Sequence, residues 1–261
     1  MRIDEMLRDC VARYGARPAV VGARGHHSFA ELDLKSERLA VALQAGGVAR
    51  RGCVMLFMDD GWEAVVSILA VLKAGGVLVP VDAAATADML SATLNACQPV
   101  AVITQSRLAG IVAAAIAPMR SVKLVVLAGG DRARAGGTCI SFEEAVARVG
   151  RMPPLAAAAG DADLAVLIGG EVPLSHRQLA EDAARIAISD DGIVLPSLAE
   201  RPGLVRLMAA IAAGRTVVAR SRFPREEEAG RRLVESPRGE AGLDFTGLLG
   251  SMAGGAPAFQ R

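Results

Sequence analysis

The chain has 261 residues, which is enough for one large domain or two small ones. Hydrophobic residues make up 52% and charged residues 22%, a balance typical of a folded globular protein rather than a disordered one. The formal net charge of +1 gives no general attraction to nucleic acid or to an anionic membrane, so neither is an expected partner.

The sequence contains no recognisable membrane, export or metal-binding signal. No apolar segment is long enough to cross a bilayer, and residues 1–10 have no signal-peptide core, so we predict a cytoplasmic protein. The cysteines form no CxxC pair and have no histidine at metal-ligand spacing. We therefore expect no metal site and four reduced, mostly buried thiols, which are Cys10, Cys53, Cys97 and Cys139.

Strands and helices are predicted to alternate along the first half of the chain. A small hairpin of Ala19–Gly22 and Ser28–Phe29 precedes a helix at Ala30–Gln44, which two glycines end. The next predicted elements are strand Val54–Met58, helix Trp62–Lys73, strand Val77–Val81, helix Ala87–Cys97, strand Val100–Thr104, helix Leu108–Pro118, strand Lys123–Leu127 and helix Phe142–Val149. Pro80 is predicted to end its strand.

The second half continues this pattern after a Pro- and Ala-rich stretch at 151–160, which is a candidate linker and sub-boundary. A short buried strand at Asp163–Ile168 leads to a helix at Ser175–Arg185, with Ser175 as the predicted N-cap. The remaining predicted elements are strand Gly192–Leu195, helix Gly203–Ala213, strand Thr216–Ala219 and the exposed helix Glu226–Glu235. The alternation predicts an α/β fold over residues 1–235, with a mostly parallel sheet or sheets flanked by helices.

The composition changes at about Ser236. Residues 236–261 are rich in glycine and other small residues. A few apolar anchors interrupt this stretch, namely Leu243, Phe245, Leu248, Leu249 and Phe259. Two interpretations remain open, a flexible tail or a segment that folds onto a partner through these anchors.

Three segments carry a resemblance to a known family. They are VLKAGGVLVPVD at Val71–Asp82, DLAVLI at Asp163–Ile168, and VPLSHRQL from Val172 onward. Together they resemble the N-terminal half of the adenylate-forming superfamily, which includes acyl-CoA synthetases and the adenylation domains of nonribosomal peptide synthetases. The resemblance runs from Pro18 to Ala219 and implies the α/β fold of an adenylation domain. It also implies that Phe29 and Leu32 pin the first helix to the core.

The connection after Asp163–Ile168 departs from the family's pattern. In the family this strand precedes a Ser/Thr/Gly-rich phosphate loop ending in Pro-Lys-Gly, which holds the phosphates of ATP. Here the loop is about eight residues too short and contains no Thr and no Lys. Glu171 would repel a triphosphate, so a tight turn is favoured. The candidate nucleotide-binding residues that remain are Gly169 and Gly170 for their N–H groups, Ser175 at the helix start, and His176 beside it.

Other features that the resemblance implies are also missing from the sequence. The family uses a Tyr to stack on adenine, a Thr-Gly-Asp motif to bind ribose, and a catalytic Lys in a C-terminal domain. Here Tyr14 is the only Tyr, no Thr-Gly-Asp occurs, and no Lys follows Lys123. Pro196 and Ser197 stand near the family's aromatic-Asp pair beside the substrate pocket. We therefore assign no catalytic residue and expect no cofactor.

These features favour a pseudoenzyme, an adenylation-domain homologue that has lost ATP chemistry. It would serve as a binding or scaffolding partner in a nonribosomal peptide or other secondary-metabolite pathway. The alternative is one half of a split AMP-forming acyl or amino-acid ligase completed by a partner chain, which would use ATP and Mg²⁺. A decayed gene fragment is a third hypothesis. Because the missing part of the family's domain would expose a sheet edge or apolar face, we expect a homodimer or a complex with a biosynthetic enzyme.

Overall fold

The computed structural model of the protein describes residues 3–22, 25–130, 138–148, 155, 160 and 162–219. Several predictions lie outside these residues, and they concern the boundary at residue 235, the tail at 236–261, the helix at Glu226–Glu235 and most of the 151–160 stretch. No helix among the described residues is long and apolar enough to cross a membrane.

The first described element is a helix that was not among the predicted elements. The first elements are α1 (Ile3–Tyr14), β1 (Pro18–Gly22), β2 (Gly25–Ser28) and α2 (Phe29–Ala45). Ser28 caps α2 by accepting a hydrogen bond from the Glu31 amide, and the Glu31 carboxylate accepts one from the Ser28 amide. Phe29 and Leu32 are buried as the resemblance implies, so this capping box starts α2 with its apolar side on the core.

The alternating elements that follow match the predicted ones, with small shifts at their ends. They are β3 (Cys53–Met58), α3 (Trp62–Lys73), β4 (Val77–Asp82), α4 (Ala87–Cys97), β5 (Ala101–Gln105), α5 (Ala109–Ile116), β6 (Leu124–Ala128), β7 (Cys139–Ser141), α6 (Phe142–Ala147), β8 (Leu164–Ile168), β9 (Val172–Ser175), α7 (His176–Ala184), β10 (Ile193–Val194), α8 (Arg201–Ala212) and β11 (Val217–Val218). A 3₁₀ turn at Ser106–Leu108 precedes α5. Strands β7 and β9 are additional to the predicted set.

The strands form two sheets. The larger has the order β7-β6-β5-β3-β4-β8-β9, and the smaller has the order β10-β11-β1-β2. Every neighbouring pair is parallel except the two hairpins, β8 with β9 and β1 with β2. The predicted α/β fold with a mostly parallel sheet is therefore confirmed. Parallel neighbours need crossover connections, and α3, α4 and α5 supply them around the central strands.

The larger sheet has a hydrophobic core on each face. Helices α4 and α5 cover one face, where Met55, Phe57, Leu94 and Val112 are buried together. The other face packs against a larger cluster that draws buried residues from α1, α2, α3, α6, α7 and α8. Because both faces are covered, the central strands read as continuous apolar runs rather than as alternating ones.

Pro80 does not end its strand, and that prediction is wrong. Strand β4 continues to Asp82 and stays in register with β3, where Leu56 pairs with Pro80. On its other side β4 pairs with β8 at Leu78 and Val166, before the proline is reached. A proline keeps an extended φ and removes a single N–H donor, so a strand tolerates it where the ladder on one side has ended.

Candidate functional site

A hairpin takes the place of the long connection after β8. Strands β8 and β9 pair antiparallel up to Ile168 opposite Val172, which leaves only Gly169, Gly170 and Glu171 in the turn. The two glycines have φ values of +61° and +79°, in the left-handed region that favours glycine. The favoured tight turn is confirmed, but residues 172–175 then return along β8 as a strand that was not predicted, before α7 begins.

Two backbone N–H groups of the turn are hydrogen-bonded to carbonyl groups of β8. The Gly170 amide donates to the Leu167 carbonyl at 3.3 Å, and the Glu171 amide donates to the Ile168 carbonyl at 3.1 Å. A loop that binds phosphate directs such N–H groups at its ligand instead. Glu171 is exposed in the same turn and adds a negative charge. The turn is thus closed by internal hydrogen bonds and has the wrong charge to attract a phosphate.

Helix α4 holds the turn in place. Gly170 is buried, and a Cβ at this position would lie 3.1 Å from Thr93 Cγ2 and 3.9 Å from Ala96 Cβ. Gly169 is exposed, and a Cβ there would meet no atom within 4 Å. The two adjacent glycines therefore differ, since Gly170 is needed for packing as well as for conformation.

Ser175 and His176 lie at the opposite end of the hairpin from the turn. Ser175 is paired with Leu164 at the start of β8, so the length of β9, about 10 Å, separates it from the glycines. Its Oγ accepts a hydrogen bond from the Gln178 amide at 3.2 Å, and Gln178 Oε1 accepts one from the Ser175 amide at 2.9 Å. This capping box confirms the predicted N-cap of α7.

His176 is buried beside this cap. The residue is only 3% exposed, and its backbone amide donates to the Asp163 carbonyl at 3.1 Å. The structure thus brings Gly169 and Gly170 together, and separately Ser175 and His176, but it does not gather all four residues around one site.

Asp163 anchors the other end of β8 through a charged cluster that sequence reasoning did not find. Its carboxylate accepts hydrogen bonds from Arg50 at 2.5 Å, from Arg51 at 2.8 Å and from the Gly160 amide at 2.6 Å. The two guanidinium groups and this amide hold the pKa of Asp163 well below its usual range. The partners are far apart in sequence, so no local pattern signals the cluster.

The loop that contains Pro196 and Ser197, near the position of the family's aromatic-Asp pair, is hydrogen-bonded to the carboxyl edge of the larger sheet. Ser197 Oγ donates to Asp82 Oδ2 at 3.4 Å, and the Leu198 amide donates to Asp60 Oδ1 at 3.1 Å. A cavity of about 170 Å³ adjoins this loop, and its lining is mostly apolar. Asp60 follows β3 and Asp82 ends β4. The carboxyl ends of these parallel strands therefore position the loop that leads into α8.

Asp59 forms a second polar group at this edge. It is only 7% exposed, and its carboxylate accepts hydrogen bonds from Gln105 at 2.8 Å and from Arg107 at 2.5 Å. Gln105 Oε1 in turn accepts from the Asp59 amide at 3.2 Å. These bonds fix the ends of β3 and β5 to each other. Across the described ranges, no three His, Cys, Asp or Glu side chains are grouped so that they could hold a metal ion.

Comparison with known proteins identifies the family. The family model described as "AMP-binding enzyme" matches residues 7–236. The chain belongs to the AMP-binding enzyme family. Among curated relatives, the nonribosomal peptide synthetase cm3A of Cordyceps militaris is 44% identical over 105 residues, which are 39% of this chain and 2% of that protein. Tyrocidine synthase 1 of Brevibacillus parabrevis is 34% identical over 110 residues, which are 42% of this chain and 10% of that protein.

Solved structures of adenylate-forming enzymes share the fold. A benzoate CoA ligase from Burkholderia xenovorans superposes with a TM-score of 0.74 at 22% identity, over 90% of this chain and 48% of the ligase. The N-terminal subdomain of NpsA from Klebsiella oxytoca superposes with a TM-score of 0.64 at 16% identity, over 89% of this chain and 57% of the NpsA chain. The chain thus spans about half the length of these solved structures and a small part of the curated synthetases.

Proposed function

We propose that this member of the AMP-binding family does not activate substrates with ATP through its own phosphate loop and acts instead as a protein-binding partner. The proposed setting is a nonribosomal peptide or related acyl-activating pathway. The β8–β9 turn is the observation that carries the proposal. It has three residues, its Gly170 and Glu171 amides donate to carbonyl groups at the end of β8, and its one charged side chain is a carboxylate.

The electrostatics of the turn support the same proposal. Adenylation needs cations and preorganised donors around the phosphates, since negative charge must be stabilised there as the reaction proceeds. Glu171 provides the opposite charge, and the packing of Gly170 on Thr93 opposes an opening of the turn toward solvent. The residues at this position therefore do not fit a triphosphate.

Two exposed apolar side chains near the turn support the partner role. Val172, the first residue of edge strand β9, is 53% exposed, and Met89 on α4, one helical turn from Thr93, is 60% exposed. Val172 also lies on the edge strand of the larger sheet, and an exposed apolar side chain on a sheet edge suits a protein contact better than a nucleotide. A homodimer or a biosynthetic enzyme would be the partner.

The proposal is tested by titrating the purified chain with ATP and Mg²⁺ in a calorimeter, beside an active acyl-CoA synthetase as positive control. We expect no heat of binding from the chain in the micromolar range. A Glu171→Lys variant should remain silent too, because the amides of residues 170 and 171 stay bonded to β8. Binding by the unaltered chain would overturn the loss of ATP handling.

Two further measurements separate the proposed roles. Light scattering on the full chain at micromolar concentration reports a homodimer directly, and a sharp monomer would exclude it. Pyrophosphate exchange measured with a candidate biosynthetic enzyme, and compared with that enzyme alone, tests the split-ligase alternative. Exchange that requires both chains would replace the partner role with that alternative.

A further inference from the structure

We propose that Cys53 and Cys97 form a reversible disulfide when the protein meets a low-molecular-weight disulfide such as oxidised glutathione. The bridge would join the amino end of β3 to the carboxyl end of α4. This inference does not depend on the proposed function, since it rests on where the sheet places the cysteines.

The two cysteines share one face of the larger sheet. Successive residues of a strand alternate between faces, so Cys53 lies on the same side of β3 as Met55 and Phe57. Those two residues belong to the core cluster beneath α4 and α5, and Cys97 packs against the same cluster. Both thiols therefore enter the layer between the sheet and α4.

The connection from α4 to β5 brings Cys97 back to β3. Gln98 follows Cys97 in the left-handed conformation, with φ +42°, and this reverses the chain after α4. Two residues later, the Val100 amide donates to the Cys53 carbonyl at 2.9 Å. Burial raises the pKa of Cys97 to about 12, and the nearby Cys53 thiol contributes to that increase. The hydrogen bond brings the backbone after Cys97 to Cys53, and the effect of the Cys53 thiol on Cys97 indicates that the two side chains are close.

Sheet order excludes the other pairings of Cys53. Cys139 is on β7, which is three strands away from β3, so about 14 Å separates their backbones. A disulfide needs Cα atoms within about 7 Å. Cys10 belongs to the core cluster on the opposite face of the sheet. Cys97 is thus the partner that the topology allows.

The reaction balances with a small disulfide as the oxidant. One cysteine thiolate attacks the disulfide, forms a mixed disulfide and releases one thiolate of the small molecule. The second cysteine thiolate then attacks the sulfur of the first cysteine and releases the second small thiol. The two protein thiols lose two protons and two electrons, and the small disulfide is reduced to two thiols.

The burial of the two thiols limits the rate of this exchange. Burial raises the pKa of Cys53 as well as that of Cys97, so little thiolate is present near neutral pH. Both side chains are half-buried rather than fully enclosed, which gives a small reagent access. We expect a slow reaction that accelerates as the pH rises above neutrality.

The test is to incubate the full native chain with oxidised glutathione at about pH 8.5, where thiolate attack is faster. The protein is then alkylated under denaturing conditions and digested, and its peptides are mapped by mass spectrometry. We expect a cross-linked peptide pair containing Cys53 and Cys97, alkylation of Cys10 and Cys139, and full reversal by dithiothreitol. This mapping uses the unaltered chain and needs no variant that might misfold.

Matched variants complete the test. Cys139→Ser should leave the cross-link unchanged, whereas Cys97→Ser should remove it and leave all remaining thiols open to alkylation or to a glutathione adduct. A cross-link that includes Cys10 or Cys139 would overturn the proposal. So would glutathione adducts on Cys53 and Cys97 without a bridge, or four free thiols after prolonged incubation.

Discussion

Thr93 and Gly170 fit together so closely that a single methyl group would disturb them. A Cβ on Gly170 would stand 3.1 Å from Thr93 Cγ2, and Gly170 also has φ +79°. The lack of a side chain at Gly170 and the methyl group of Thr93 therefore set the distance between helix α4 and the β8–β9 turn.

Gly170→Ala should destabilise the protein by about 1–3 kcal/mol, because it adds left-handed strain and a tight contact with Thr93. Gly169→Ala is the matched control. It carries similar strain at φ +61° but meets open space, so about 1 kcal/mol is expected. Urea unfolding of both variants measures the difference, and equal losses would contradict the close packing of Gly170.

A compensating variant isolates the methyl contact. Thr93→Ser removes Cγ2 but keeps the hydroxyl that donates to the Met89 carbonyl at 2.9 Å. Gly170→Ala should therefore cost less in the Thr93→Ser background than in the unaltered chain. A double-mutant cycle from the same unfolding measurements gives the coupling, and additive losses would place the cost of Gly170→Ala in the backbone alone.

Ser175→Ala should lower the free energy of unfolding by about 1 kcal/mol, because α7 loses its capping box. Ser175→Asp should retain most of the stability, since a carboxylate also accepts a hydrogen bond from the Gln178 amide and favours a helix N-terminus. Thermal unfolding of the two variants distinguishes a cap from an anion site. If Ser175→Asp were as unstable as Ser175→Ala, the capping role would be wrong.

His27 should make the protein less stable in acid. Burial and the Lys35 ammonium, whose Nζ lies 3.2 Å from His27 Nδ1, lower the pKa of His27, while Glu31 opposes this effect and His26 adds to it. The unfolded chain therefore binds a proton more readily. Stability is retained above the ordinary value of 6.5 and is lost as the pH falls below it.

The fluorescence of the single tryptophan can follow this titration. The His27 ring lies 4.3 Å from the Trp62 ring, so a protonated imidazole should quench the emission. We expect the emission to change with a midpoint below pH 6.5. The His27→Gln variant should lose this transition, whereas the control His26→Gln, at the exposed neighbouring residue, should keep it. A transition that persists in His27→Gln would assign it to another group.

Asp163→Asn should destabilise the protein at neutral pH, because Arg50 and Arg51 lose their shared carboxylate. These partners lower the pKa of Asp163, so its contribution is present above the ordinary value of 3.8 and is lost as the pH falls below it. The difference between Asp163→Asn and the unaltered chain should shrink over that acidic range. Urea unfolding at a series of pH values checks this, with the exposed Asp190→Asn as control.

The local patterns of the sequence determined most of the fold. Apolar periodicity and nearby stop residues predicted the central strands and helices, including Trp62–Lys73 and Ala87–Cys97, because an element's period and its ends are set by nearby residues. Ser175 was recognised as a cap for the same reason. The family resemblance rested on Val71–Asp82, Asp163–Ile168 and the segment from Val172 onward, and the AMP-binding family match over residues 7–236 confirms it.

Tertiary structure decided the features that depend on distant residues. It placed β9 beside β8, although Val172 and Pro173 gave no strand signal, because an edge strand is defined by its partner. It also brought Arg50 and Arg51 to Asp163 across a long sequence separation. Sequence alone identified a shortened loop between a strand and a helix. The closure of that turn by its own amides and its packing on Thr93 exist only once α4 and the sheet have come together.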